Sequence, residues 1–250
     1  MIQAEGRNPV YEALKAHRVL KLMVAREVEK ERKVQLIMEL SKALGVPVNF
    51  TSMTELDGLS ETGRHQGVIA VVKLSQIRSL GAIIEGMNDD SCILLLEQIQ
   101  DPQNLGAILR TAESTAVSAV VIPKRRSVEL TPTVHRTSMG GSLYVPLFRE
   151  NLHSVTKLLQ EKGIRVIGVD PSGFAEYFSE NLKGAVAFVL GGEDRGISRS
   201  LLGKCDNVIR IPMRGRIESL NVSVSTALIL YERLRQQTIK DVNIESRKQS

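Results

Sequence analysis

Leu190-Gly191-Gly192-Glu193-Asp194-Arg195-Gly196-Ile197-Ser198 closes an apolar run at 185–190. A second run at 208–211 leads into Ile211-Pro212-Met213-Arg214-Gly215-Arg216-Ile217-Glu218-Ser219-Leu220-Asn221-Val222-Ser223. Both segments are built alike: a β-like run ends in glycines and polar residues, which is how α/β proteins form a ligand site at the carboxyl ends of parallel strands. Two such ends, close together in the chain, predict one site.

Working outward, short apolar runs at 92–96, 119–122 and 164–169 join the two already named as strands, and amphipathic patterns at 103–116, 152–162 and 222–236 predict helices. That rhythm predicts an α/β domain with a mostly parallel sheet covered on both faces. In the last helix Val224, Ala227, Leu228, Tyr231 and Leu234 recur at spacings of three and four, an apolar stripe that reads as core packing. The tail beyond Gln237 is polar and reads as frayed. Upstream, 6–73 forms a smaller α/β unit, with helical patterns at 9–17 and 27–44 and strands at 19–25, 46–50 and 65–72. Residues 74–88 lack periodicity and carry Gly81, Gly86 and Asn88-Asp89-Asp90. The expected division is therefore a small domain at 1–73, a linker at 74–88 and a larger domain at 89–250.

Composition bounds the function. With 250 residues, 42% of them hydrophobic, there is material for two cores, and the absence of Trp makes them aliphatic. Cys92 and Cys205 have no partner at metal-ligand spacing and read as buried reduced thiols, so no metal site is expected. No apolar run approaches the ~18 residues of a membrane helix and no secretory signal opens the chain, so a cytoplasmic location without membrane is expected. Neither Gly-x-Gly-x-x-Gly nor a phosphate-binding Gly-Lys-Ser/Thr loop occurs, which argues against a nucleotide-dependent oxidoreductase or kinase. The sequence pairs none of the four histidines convincingly with a Ser or Cys nucleophile, so a hydrolase is not expected. A net charge of +5 permits a polyanionic partner. Lys124-Arg125-Arg126 stands at a strand's carboxyl end, and Arg214 and Arg216 lie inside the opening segment; the alternative for each is a solvated loop.

Read with Asn104-Leu105-Gly106-Ala107-Ile108-Leu109-Arg110-Thr111-Ala112, the two opening segments resemble the three motifs of the SpoU group of SPOUT-superfamily RNA ribose 2'-O-methyltransferases, in order, over roughly residues 90–237. Gly6-Arg7-Asn8-Pro9-Val10-Tyr11-Glu12-Ala13-Leu14 and His65-Gln66-Gly67-Val68-Ile69-Ala70 resemble the RNA substrate-binding domain that precedes the catalytic domain in rRNA-directed members. The resemblance implies S-adenosylmethionine as methyl donor, rRNA (23S rRNA in particular) as substrate, a deep trefoil knot in the catalytic domain and a homodimer formed through it. A tRNA ribose methyltransferase, and a non-catalytic ribosome-assembly factor on the same scaffold, are the alternatives. A separate module grips phosphates and shape; Arg7, Arg64 and His65 are its candidate contacts, joined by Lys124, Arg125, Arg126, Arg214 and Arg216.

Methyl transfer to a ribose hydroxyl is an in-line displacement with an excellent leaving group, so alignment and desolvation dominate and no metal is needed. The weak nucleophile is the difficulty. The resemblance gives Arg110 the activating role. Guanidinium groups stay protonated in proteins, which makes Arg110 a poor base; the alternative is that a neighbouring phosphate takes the proton while the forked donors of Arg110 hold phosphate and hydroxyl together. Asn104 lies six residues earlier and converges with Arg110 more easily from a loop before the helix, for which Asp101-Pro102 is a start signal. Its alternative role is capping. Glu193 is expected to hold the site and the arginine, or else to pair with Arg195 or cap a helix. Asn221 and Ser223 are expected to orient hydroxyl or arginine, with helix capping as the alternative. Motif alignment assigns Gly191, Ile211 and Leu220, with Gly192 and Met213 beside them, to the cofactor. Gly140-Gly141 and the run 143–148 fit either a loop or a subunit interface.

Overall fold

The computed structural model describes residues 2–73, 79–192 and 195–248. The chain begins with β1 (Ile2–Glu5), α1 (Arg7–Lys15), β2 (Val19–Ala25), α2 (Arg32–Ala43), β3 (Val48–Thr51), α3 (Met53–Leu59) and β4 (Val68–Val72). It continues through α4 (Leu80–Glu85), β5 (Cys92–Glu97), α5 (Pro102–Ser114), β6 (Ala119–Ile122), α6 (Pro132–Thr137), α7 (Gly141–Tyr144), β7 (Leu147–Arg149), α8 (Leu152–Glu161), β8 (Arg165–Val169) and β9 (Ala175–Glu176). β10 (Val186–Gly191), α9 (Arg199–Leu202), β11 (Asn207–Arg210) and α10 (Val222–Lys248) complete it.

Two compact units result. The first holds residues 1–77 together with 101–110 and 128–146, and the second holds the remainder. The first unit thus takes two segments from beyond the boundary expected in the sequence. The reason is local: α6 packs on β1 and α1, and Leu143 of α7 joins the core built from Val10, Leu14, Leu22 and Val24. The sheet of this unit has the order β1-β4-β2-β3, with β4 antiparallel to both β1 and β2, and β3 parallel to β2. Helix α3 begins with a capping box in which Ser52 Oγ accepts from Glu55 N–H at 3.2 Å and the Glu55 carboxylate accepts from Ser52 N–H at 3.1 Å.

Glu5, at the end of β1, is fully buried. Its carboxylate accepts from Ser60 Oγ at 2.6 Å, Glu61 N–H at 2.7 Å, Thr62 N–H at 3.2 Å and the Thr62 hydroxyl. Burial alone would raise its pKa, but these donors outweigh burial and the carboxyl titrates below the ordinary glutamate range.

The second unit carries seven strands in the order β7-β6-β5-β10-β8-β11-β9, every pairing parallel. This is the α/β architecture the apolar rhythm predicts. One face of the sheet, with Ile93, Leu95, Val121, Val166 and Val189, packs against Leu80 and Ile84 of α4, Val155 and Leu159 of α8, and Leu201 of α9. The stretch 74–88, read above as a linker, therefore holds α4 in its described part, and Leu80 and Ile84 belong to a core.

The last helix corrects two expectations. It runs on to Lys248 rather than fraying after Gln237, and no Gly or Pro interrupts it. The stripe read as core is largely in water, since Val224 is 46%, Tyr231 53% and Leu234 37% exposed, while Val222, Thr226, Ile229, Leu230 and Arg233 are buried. What turns the helix is Arg233. Its guanidinium donates to the carbonyls of Ser91 at 3.1 Å and Gly184 at 3.2 Å, ahead of the amino ends of β5 and β10, and to Gln237 Oε1 at 2.9 Å.

Because the Glu5 carboxylate is held in its charged form, its contribution is complete above the unfolded glutamate pKa and is lost as pH falls through the lower folded value. Glu5→Ala should cost about 1–3 kcal/mol at pH 7 by removing the shared acceptor of these hydrogen bonds, with a smaller difference from wild type below about pH 4. Urea unfolding at both pH values measures it, and a pH-independent difference would refute the linkage.

Candidate functional site

Three strand ends meet at one cavity. Val169 ends β8 and Asp170 follows it, Leu190 to Gly192 close β10, and Ile211 follows β11; with Met213, Leu220 and Val222 they line a space of about 600 Å³. The sequence predicted two of these ends. The third, β8 with Asp170-Pro171-Ser172, carries the same signal, an apolar run breaking into polar residues.

The β10 loop is shaped by close backbone approach. A Cβ on Gly191 would sit 1.9 Å from the carbonyl carbon of Gly196 and 2.3 Å from Ile197 N, so only glycine fits. Gly192 and Gly196 pair as an antiparallel bridge with Gly196 N–H donating to Gly192 O at 3.0 Å. Glu97, the last residue of β5, completes the lock: its carbonyl accepts from Gly192 N–H at 2.8 Å and its carboxylate from Ser198 N–H at 2.7 Å. Sequence reading missed Glu97. The available signal is a lone carboxylate ending the run Cys92 to Leu96, where an apolar strand has no use for charge.

All five residues assigned to the cofactor, Gly191, Gly192, Ile211, Met213 and Leu220, line this one cavity. Arg195 and Glu218 share its wall and were not singled out. Asp170 accepts from Ser172 N–H at 3.0 Å and Ser172 Oγ at 2.6 Å, which stiffens the β8 loop.

The catalytic candidates are placed as follows. Asp101 Oδ1 accepts from Gln103 N–H at 2.8 Å and Pro102 opens α5, so the start signal is real. Asn104 nevertheless lies inside the first turn of α5, 8% exposed, rather than in a preceding loop. Pro is tolerated at the first helical position, and the helix begins at Pro102, at least three residues earlier than a loop placement of Asn104 requires. Six residues along one helix then separate Asn104 and the exposed Arg110 by about 240°. Gly141 gives α7 its seat beside Arg110: a Cβ there would meet Leu109 O at 2.8 Å and Arg110 Cα at 3.1 Å. The Gly140-Gly141 pair thus opens a helix, and 147–149 forms β7. Asn221 stands ahead of α10, where its Oδ1 accepts from Ser223 N–H at 2.9 Å and Ser223 Oγ at 2.6 Å, the capping role named as its alternative. Glu193 lies outside the described residues.

The basic candidates divide. Arg64, Arg125, Arg126, Arg214 and Arg216 are exposed, and Lys124, also exposed, pairs with Glu150 at 2.9 Å. Arg7 is committed inside its own unit, bound through both terminal nitrogens to Glu31 and through Nε to Gln66 O at 3.1 Å. His65 is 4% exposed; Nδ1 accepts from Gly67 N–H at 3.1 Å and Nε2 faces Asp57 at 2.8 Å. It shapes the turn before β4 and has no open face for a phosphate, which corrects its reading as an RNA contact. Cys92 is buried and Cys205 half-buried, both as free thiols, and burial pushes each up to about 12. Among the described residues no group of three or more His, Cys, Asp or Glu is arranged to hold a metal ion, and no helix is long and apolar enough to cross a membrane.

Residues 91–231 match the SpoU rRNA Methylase family, and residues 3–78 match the family described as RNA 2'-O ribose methyltransferase substrate binding. The chain belongs to the SpoU rRNA methylase family. It is 37% identical to the putative TrmH family tRNA/rRNA methyltransferase YacO of Bacillus subtilis, over 93% of this chain and 94% of that protein. It is also 37% identical to the 23S rRNA (guanosine-2'-O-)-methyltransferase RlmB of Shewanella oneidensis, over 90% of this chain and 94% of that one. Its fold matches the SpoU methyltransferase AviRb from Streptomyces viridochromogenes, solved in complex with the cofactor AdoMet, with a TM-score of 0.80 at 23% identity over 94% of this chain and 90% of that chain.

In this SpoU chain the glycine contact at the β10 loop sets a sharp expectation. Gly191→Ala should destabilise the protein by about 2–3 kcal/mol or more, because the added methyl meets backbone and not a side chain that can turn away. Chemical denaturation measures it, and a loss below about 0.5 kcal/mol would mean that the two backbones do not approach in solution.

Proposed function

We propose that this chain transfers the methyl group of S-adenosylmethionine to the 2'-hydroxyl of a guanosine ribose in 23S rRNA. The observation that carries the reading is the single cavity formed by three strand-end loops in a chain of the SpoU family. Its volume of about 600 Å³ lies within the usual 300–1,000 Å³ of small-molecule sites. Main-chain groups of Gly191, Ile211 and Leu220 suit a purine edge, Leu190, Met213 and Val222 suit apolar parts of the ligand, and the carboxylates of Asp170 and Glu218 suit its positive charges. When bound, the cofactor supplies an electrophilic methyl on a sulfonium with a neutral leaving group.

The rest falls to the protein's own side chains. Arg110 holds a substrate phosphate and the reacting hydroxyl through its forked donors, and the phosphate accepts the proton as the hydroxyl attacks. Asn104, Glu193, Asn221 and Ser223 position arginine and ribose. The loops after β8, β10 and β11 exclude water from the line of attack. Arg64, Lys124, Arg125, Arg126, Arg214 and Arg216 take phosphates of folded rRNA, with 1–73 as gripping module and 89–250 as catalytic domain.

The trefoil knot of the group belongs to the same reading, and the glycine-only crossing at Gly191 is the kind of tight passage that threading needs. So does a cytoplasmic homodimer. The exposed stripe of Val224, Tyr231 and Leu234 supports it, since three large apolar side chains on one helix face are a natural isologous contact.

With labelled S-adenosylmethionine, the purified protein should methylate one ribose of unmodified 23S rRNA. Arg110→Ala should lower that rate by about a thousandfold while calorimetry finds cofactor affinity within about threefold; retained turnover would remove Arg110 from the chemistry. Separately, the double substitution Val224→Glu and Tyr231→Glu should convert the protein to monomers in sedimentation velocity, and an unchanged dimer would place the interface elsewhere.

A further inference from the structure

Phe174 is 98% exposed, more than any other large hydrophobic side chain among the described residues. Its backbone is nonetheless fixed on both sides. Gly173 N–H donates to Asp170 O at 3.0 Å, and Gly173 O accepts from the Arg210 guanidinium at 3.5 Å. The next residue, Ala175, begins β9 and pairs with Ile209 of β11. The loop before it is tied by Asp170 to Ser172. An aromatic ring is thus presented to water on a held backbone, at a place where a polar residue would meet no steric objection.

Its surroundings say what the ring suits. Asp170, Pro171 and Ser172, just ahead of it, line the cofactor cavity. Glu176 and Arg210, just beyond it, line a second, open groove of about 640 Å³ shared with Arg214 and Arg216. Pro171, Ile211, Met213 and Glu218 belong to both walls, so the groove continues the cavity outward. Three guanidinium groups against two carboxylates leave the groove positive. A protein partner or second copy would gain more from a broad apolar face than from one ring among arginines. A polyanion carrying flat bases fits both features at once: the base stacks on the ring and the cations take the flanking phosphates.

We propose that Phe174 is a stacking platform for an unpaired base of the RNA substrate adjacent to the methylated nucleotide, with Arg214 and Arg216 on the neighbouring phosphates. The proposal rests on the methyltransferase reading above. It gives that reading a positioning residue outside the three motifs, one that acts on RNA and not on cofactor.

The chain has no Trp, so Phe174→Trp introduces a single indole reporter at the site. With S-adenosylhomocysteine present, a single-stranded fragment of 23S rRNA that the protein methylates should quench its emission by about half or more on saturation, and a duplex of equal length should not, since stacking needs an unpaired base. Phe174→Ala should raise KM for RNA roughly tenfold, with kcat and cofactor affinity within about twofold, and Phe174→Tyr should restore KM. Unchanged indole emission in a variant that still methylates RNA would overturn the platform and leave the methyltransferase reading standing. Emission that changes with protein concentration in the absence of RNA would assign the ring to a second copy and overturn it too. Failure of the wild-type protein to methylate any RNA would sink the methyltransferase reading first, and this proposal with it.

Discussion

The cavity end of the larger unit depends on one steric fact, the contact of Gly191 with the backbone of Gly196 and Ile197. Any side chain at 191 would overlap main-chain atoms, so the loop can fold back on the strand it has just left. Glu97 then converts proximity into order, through its carbonyl to Gly192 and its carboxylate to Ser198. Both ends of the loop are thereby referred to the carboxyl end of β5, the strand whose outgoing chain leads to α5 and Arg110.

A parallel sheet makes this economical. Adjacent parallel strands all end on the same side, so β8, β10 and β11 deliver three loops to one place without any of them needing to be long. Arg233 does the reverse work at the other end, binding carbonyls that precede β5 and β10 and so fixing which face of α10 is buried. A charged side chain decides the orientation because its buried hydrogen bonds would be lost in any other rotation, whereas the apolar side chains of the stripe lose only part of their contacts.

The smaller unit solves a different problem with the same chemistry. Glu5 gathers four donors from residues 60–62, and the segment it holds leads directly to Arg64 and the buried His65. Arg7, spent on Glu31, braces the start of α1. Arg7 and His65 are thus engaged in shaping their own unit, while Arg64 stands exposed.

Local patterns along the chain determined the α/β class, the parallel sheet, most strand positions in the larger unit and the cluster of cofactor-site candidates, because strand ends carry a composition that neighbours in sequence suffice to read. They also carried the family likeness. Only the tertiary structure decided the matters that depend on which surface meets which. His65 proved to be buried. The stripe on α10 faces water, since an amphipathic period fixes a face without saying what covers it. Residues 128–146 entered the smaller unit because Leu143 found a core there. Glu97 and Arg233 escaped notice for the same reason: a lone charge in an apolar run has meaning only once distant backbone groups arrive beside it.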